Sequence, residues 1–201
     1  MSPKVGMPPV RRAQIVRATI RCLAREGYTR LTMKKVAREA GVSQGILHYY
    51  FRDKRDILTA ALQTVATDLD RRVAVAQARG PRDARSRLGA VVRACLEIAL
   101  EEREVWAVFL EFWGEMLHDP RLRKINADIY AHARSALTRL VEEGVRTGAF
   151  RSVRPVDAAF VILALVDGLS LQLTFEPETM RPARAARLVD DALARYLAPE
   201  N

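Results

Sequence analysis

The sequence predicts an all-α fold, and three observations carry that expectation. Glycine and proline cut the chain into segments of helical length, apolar residues within them recur every three to four positions, and no segment sustains the alternation of a half-buried strand. About nine helices result. The first spans Val10 to Arg25, with Ile15, Val16, Thr19, Ile20 and Leu23 on one face, Arg17, Arg21 and Arg25 on the other, and Gly27 as its stop. Thr32 supplies an N-cap hydroxyl to a short helix from Met33 to Ala40, which Gly41 ends. Ser43 caps a second short helix, Gln44 to Tyr50, and Asp53 caps a third element in which Asp56 takes the acidic position of a capping box. That element is a long connector continuing to Arg79 and broken at Gly80-Pro81. Beyond it come Asp83 to Glu102, Val105 to Leu117, a turn at His118-Asp119-Pro120, Leu122 to Gly144, a corner at Gly148, Pro155 to Thr174 and Arg184 to Tyr196.

Composition narrows the class. With 201 residues, 49% apolar and 28% charged, the chain has the bulk and balance of a globular protein. Cys22 and Cys95 each sit inside an apolar-periodic stretch, so they offer neither a disulfide framework nor a CxxC site. The opening residues lack the apolar core of a secretory signal. The most apolar run, Ala158 to Val166, lies between Asp157 and Asp167, short of the roughly 20 residues that span a bilayer. The expectation is a soluble cytoplasmic protein. Its charge is unevenly placed: residues 1–56 hold thirteen Lys and Arg against four acids, so the whole net charge of +9 resides there and the rest is neutral. A basic end on a neutral body is the electrostatic footprint of a polyanion binder.

Two short helices joined by a tight Gly41-Val42 turn have the form of a helix-turn-helix, whose second helix enters the major groove. Gln44 at that helix's start can reach base edges, Gly45 keeps the backbone close, and Ile46 can make apolar contact. Ser43 and Thr32 stand where helix N-termini meet phosphates, His48 and Tyr49 project one turn later, and Lys54 adds a cation beside the backbone. Phe51 reads as core, Tyr49 as outward, and Tyr50 fits either role.

The run Thr32-Met33-Lys34-Lys35-Val36-Ala37-Arg38-Glu39-Ala40-Gly41-Val42-Ser43-Gln44-Gly45-Ile46-Leu47-His48-Tyr49-Tyr50-Phe51-Arg52-Asp53-Lys54 resembles the DNA-binding signature of the TetR family of repressors. The resemblance implies a DNA-binding domain over 1–60 and an effector-binding and dimerisation domain over 61–201. It also implies a two-fold dimer on a palindromic operator, and release when a small molecule separates the recognition helices. It places base and phosphate contacts on Lys34, Gln44, Gly45, Ile46, His48, Tyr49 and Lys54. His48 stands where the family usually has a phosphate-binding tyrosine, with Tyr49 and Tyr50 following, so His48 and Tyr49 compete for that role. The opening Pro3 to Met7 with Arg11-Arg12, together with Trp106 to Glu115, resembles the family branch that includes the choline-responsive repressor of glycine-betaine synthesis.

In the body, Phe160, Leu163, Ala164, Asp167, Gly168 and Leu171 share one stripe, and Val189, Ala192, Leu193 and Tyr196 share another. Helices apolar on more than one face need a second partner, which a copy of the same pair supplies as a four-helix interface. Trp106, Phe109 and Trp113 cluster on one segment and are read either as plain core or as walls for a quaternary-ammonium or apolar effector, with Glu111 or Glu115 as counter-charge. The histidines, His48, His118 and His132, have no metal-like spacing, and no phosphate loop, HExxH or GxSxG occurs. No cofactor and no catalytic residue is expected. A membrane-surface binder is disfavoured because the basic residues fall on caps and turns instead of one polar face. A helical small-molecule-binding protein or enzyme using the neutral body is the remaining alternative.

Overall fold

The computed structural model describes residues 8–79, 83–101 and 103–199. Among them are nine α-helices and no strand: α1 (Pro8–Arg30), α2 (Met33–Glu39), α3 (Gln44–Tyr50), α4 (Lys54–Arg79), α5 (Ala84–Glu101), α6 (Arg103–Met116), α7 (Pro120–Arg146), α8 (Pro155–Phe175) and α9 (Pro182–Tyr196). The expected order is reproduced. The segment Pro3 to Met7 and the break at Gly80-Pro81 lie outside the described residues.

Local chemistry explains the helix ends. Gly27 interrupts α1 with φ 75° and ψ 169°, and one more turn follows before Leu31. Thr32 and Ser43 accept hydrogen bonds from the amides of Lys35 and Ile46, at 3.3 and 3.2 Å, so each short helix has a capped start. Gly41, at φ 63°, supplies the left-handed residue that lets α2 turn into α3. At the start of α4, Asp53 accepts from the Asp56 amide at 2.8 Å, and Asp56 reaches back one residue beyond the cap to accept from the Arg52 amide at 3.1 Å.

Packing divides the chain into two compact units. One holds α1 to α3, α4 as far as Thr67, and Arg103–Lys124; the other runs from Asp68 through α5 and from Ile125 through α9. In the first, α1 packs on α2 and α6, and α2 on α3. Ile15, Val16, Thr19 and Leu23 are buried, as are Val36, Ala37, Leu47, Phe51, Leu58 and Leu62. Ion pairs brace α1 against α2. Glu39 meets Arg21 at 2.9 Å and Arg25 at 3.2 Å, and Glu26 meets Lys35.

In the second unit, α5 packs on α8 and α9 around Leu88, Val92, Leu96, Leu140, Val141, Ile162, Val189 and Leu193. Arg87 reaches both Glu143 oxygens at 2.8 and 2.7 Å, and Arg93 meets Asp190 at 2.8 Å. At the end of α7 the Phe150 ring lies over Gly144, where a Cβ would come within 2.0 Å of it. Helix α8 is apolar over a longer span than the Ala158–Val166 run. By length and composition its 21 residues are enough to cross a membrane; a third of its apolar window is buried within the chain, and it carries Asp167.

Candidate nucleic-acid interface and effector residues

The outward face of α3 is polar and unencumbered. Leu47 and Phe51, 0% and 1% exposed, point inward and anchor the helix. Gln44, Gly45, His48 and Tyr49 therefore share the opposite, exposed face, with Ile46 half-buried at its margin. Tyr49 is 79% exposed, and its ring meets Tyr50 edge-on at 5.0 Å. At Gly45 an added Cβ would approach nothing nearer than Ser43 Oγ at 3.9 Å, so packing within the chain does not demand glycine there.

The flanking groups are arranged on the same head. Thr32 and Ser43 are exposed, and each still has its hydroxyl proton to give while its oxygen caps a helix. Lys34 and Arg38 stand one turn apart on the exposed side of α2; Arg38 is a cation that the sequence reading left out, and its i, i+4 spacing from Lys34 was the available signal. Lys54 is held in place: its ammonium donates to the Tyr28 carbonyl at 2.6 Å and lies 4.0 Å from the centre of that ring. Arg12 covers the Phe51 ring at 5.0 Å, and Gln14 donates to the Ala40 carbonyl at 2.6 Å, so α1 fixes both helices of the motif.

On α6, Phe109 is buried, while Trp106 and Trp113 are partly buried. The Trp106 ring lies 6.1 Å from both Phe109 and Trp113, making a continuous aromatic face. The Trp106 indole nitrogen is buried with no hydrogen-bond partner among the described residues. Glu115, one of the two expected counter-charges, accepts the Tyr28 hydroxyl; burial, with this bond, raises the Tyr28 pKa. The side chain of Glu111, the other, lies outside the described residues. Asp119 caps α7 through the Arg121 amide at 2.8 Å and faces Arg55 at 3.5 Å, whereas His132 sits 3.8 Å from Asp70.

The expected dimer stripe divides by exposure. Phe160 is 55% exposed, with the Arg134 guanidinium 4.8 Å over its ring, and Ala164 is exposed. Leu163, Gly168, Leu171, Ala192 and Tyr196 are partly buried. Val189 and Leu193, 2% and 4% exposed, fill the core that α9 shares with α5. Leu188, 52% exposed, holds the outward position instead. Asp167 turns to Tyr130 of its own chain, which donates to it at 2.7 Å.

A capped helix-turn-helix, with a free polar face on its second helix and the chain's net positive charge gathered around it, defines a DNA-binding protein. Comparison with known proteins agrees. Residues 15–61 match the family of bacterial regulatory proteins, tetR family, and residues 84–198 match the C-terminal domain of BetI-type transcriptional repressors. The HTH-type transcriptional regulator BetI of Burkholderia mallei is 32% identical over 197 residues, 98% of each chain, and that of Burkholderia cenocepacia is 32% identical over 198 residues. Among solved structures, a transcriptional regulator of Saccharomonospora viridis in complex with choline superposes with a TM-score of 0.85 at 28% identity, covering 94% of this chain and 98% of that one. A regulator from Pseudomonas aeruginosa PAO1 gives 0.85 at 25% identity, over 96% and 92%. The chain belongs to the TetR family of transcriptional regulators, with a BetI-type C-terminal domain, and is not an enzyme.

Proposed function

We propose that the protein is a cytoplasmic repressor that binds a palindromic operator as a dimer and leaves it when a small organic cation of the choline class binds. The observation that carries the DNA half is the exposed face of α3, where Gln44, Gly45 and Ile46 meet base edges and His48 and Tyr49 meet the backbone. Thr32, Lys34, Ser43 and Lys54 hold flanking phosphates, with Arg38 joining them. The effector half is supported by the likeness to the choline-bound regulator and by the Trp106, Phe109 and Trp113 rings, whose faces suit a quaternary ammonium.

Residues 1–60 form the DNA-binding domain in this reading, and 61–201 the effector-binding and dimerisation domain. The dimer is supported by the apolar side chains that α8 and α9 leave in solvent: Val156, Phe160, Val161 and Leu188. A two-fold pairing covers such a stripe with itself. Two recognition helices then read successive major grooves, about 34–36 Å apart, and an effector that prefers a conformer with a different spacing releases the operator. Moving that equilibrium from 1:99 to 99:1 takes about 5.5 kcal/mol of differential binding.

A gel shift with the DNA upstream of the protein's own gene, at fixed salt, tests both halves. A shift released by choline, betaine aldehyde or another hydrophobic cation is the expected result. A shift that no cation releases discards the effector class, and failure to select any duplex from a random pool discards the operator reading.

A further inference from the structure

Resting on the effector reading above, we propose that Asp167 is the anionic anchor for the effector, taking a small cation of the trimethylammonium class while Tyr130 orients its carboxylate.

Asp167 is partly buried, and Tyr130 from α7 is its hydrogen-bond partner, at 2.7 Å. Among the described residues no lysine, arginine or histidine pairs with it. A carboxylate drawn out of water against one neutral donor is under-compensated. Burial accordingly pushes the Asp167 pKa up, and the Tyr130 bond only partly opposes it. Cys95 on α5 lies within electrostatic range of the same carboxylate. Burial pushes the Cys95 thiol on α5 up to about 12, and the charges of Asp167 and Asp70 push the same way. Among the described residues Asp70 faces the exposed His132, at 3.8 Å.

A second observation is independent of charge. Ser170, one turn along α8 from Asp167, is 0% exposed, and its hydroxyl has no partner; the side-chain oxygen of Asn126, one turn before Tyr130 on α7, is buried and unpartnered too. Tyr130 pairs with Asp167, and Arg134 with Phe160, so the two helices run antiparallel there. Asn126 and Ser170 therefore lie towards the same end of the crossing. Unpaired buried oxygens are rare in folded proteins, and each of these two lies one helical turn from the Tyr130–Asp167 pair. A cation carrying a hydroxyl supplies what all three lack: a positive charge for Asp167 and a donor and acceptor for Asn126 and Ser170. The Tyr130 ring adds a π face. A metal ion suits the place less well, since no set of three His, Cys, Asp or Glu side chains with metal-binding geometry occurs among the described residues.

Calorimetric titration of the full chain with choline, and with 3,3-dimethylbutan-1-ol, which has the same shape and no charge, separates anchor from packing. The wild type is expected to prefer choline, and Asp167→Asn to lose about ten- to a hundred-fold in choline affinity while binding the neutral alcohol as before. Choline affinity unchanged in Asp167→Asn overturns the anchor and leaves the effector reading standing. A wild type that binds neither choline nor betaine aldehyde overturns that reading and the anchor together. Should Asp167→Asn bind neither probe, Tyr130→Phe decides: a several-fold loss confined to choline supports the anchor, and an unaltered preference overturns it.

Discussion

Gln44 and Gly45 are adjacent on the exposed face of α3, and the proposed interface uses them in opposite ways. Gln44 offers a side-chain amide that, in the proposed complex, would pair with a base edge. Gln44→Ala is expected to cost about 1–3 kcal/mol of operator binding and to relax preference at one base position, read by selection from random duplexes. Gly45 offers the absence of a side chain. Because an added Cβ would meet only Ser43 Oγ at 3.9 Å, Gly45→Ala should leave the free protein as stable or firmer, by up to about 1 kcal/mol of helix propensity. Its operator affinity should nevertheless fall. Thermal melting and gel shifts on one preparation test the pair of effects, and an alanine variant that binds the operator as tightly as wild type would remove Gly45 from the interface. Lys54 is a less clean probe, since removing it also takes a hydrogen bond from the Tyr28 carbonyl.

Individual helices depend on devices of different kinds. The α1–α2 brace is electrostatic. The Lys35 hydrogen bond to Glu26, and the Arg21 and Arg25 bonds to Glu39, hold both carboxyls below the ordinary glutamate value of 4.5. Such groups bind more protons unfolded than folded, so their stabilisation is complete above that value and disappears as pH falls through the lowered folded pKa values. Melting temperatures of wild type and Glu39→Gln should differ near neutral pH and converge in acid; a gap that persists in acid would show that charge is not the cause. The α7–α8 corner depends on shape. Gly148 turns the chain at φ 71°, and Phe150 folds back on Gly144. Gly144→Ala forces that ring away and should cost about 1–3 kcal/mol, measured by denaturant unfolding.

For the whole molecule, what matters is which surfaces remain after each unit has packed. Phe160, at 55% exposure, projects from the side of α8 that the second unit leaves uncovered. Phe160→Glu is expected to turn the dimer into monomer in sedimentation velocity and to weaken operator binding, because one recognition helix alone loses the two-fold gain. A dimer that survives the change would move the interface elsewhere. Phe160 is a better choice than Val189 or Leu193, whose replacement would open the protomer's core and confuse unfolding with dissociation.

How much was legible beforehand follows from the range of the forces involved. Helix identity, caps and the turn depend on neighbours within four residues, so Thr32, Ser43, Asp53 with Asp56, Gly41 and Gly148 could be read directly from the chain. The outward set on α3 was legible for the same reason, since a seven-residue helix has only one face left once Leu47 and Phe51 point inward. The body was less transparent. Its helices are apolar on more than one side, and periodicity cannot say which side meets the chain's own core; α5 claimed Val189 and Leu193, and Phe160 and Leu188 stayed outside. The Asp167–Tyr130 bond joins residues 37 positions apart, and Glu115 is engaged by a tyrosine still more distant in the chain. Local chemistry in the sequence by itself determined the helices and the reading head; only the tertiary structure decided which charges lie buried without a counter-ion, because desolvation depends on everything that folds around a group.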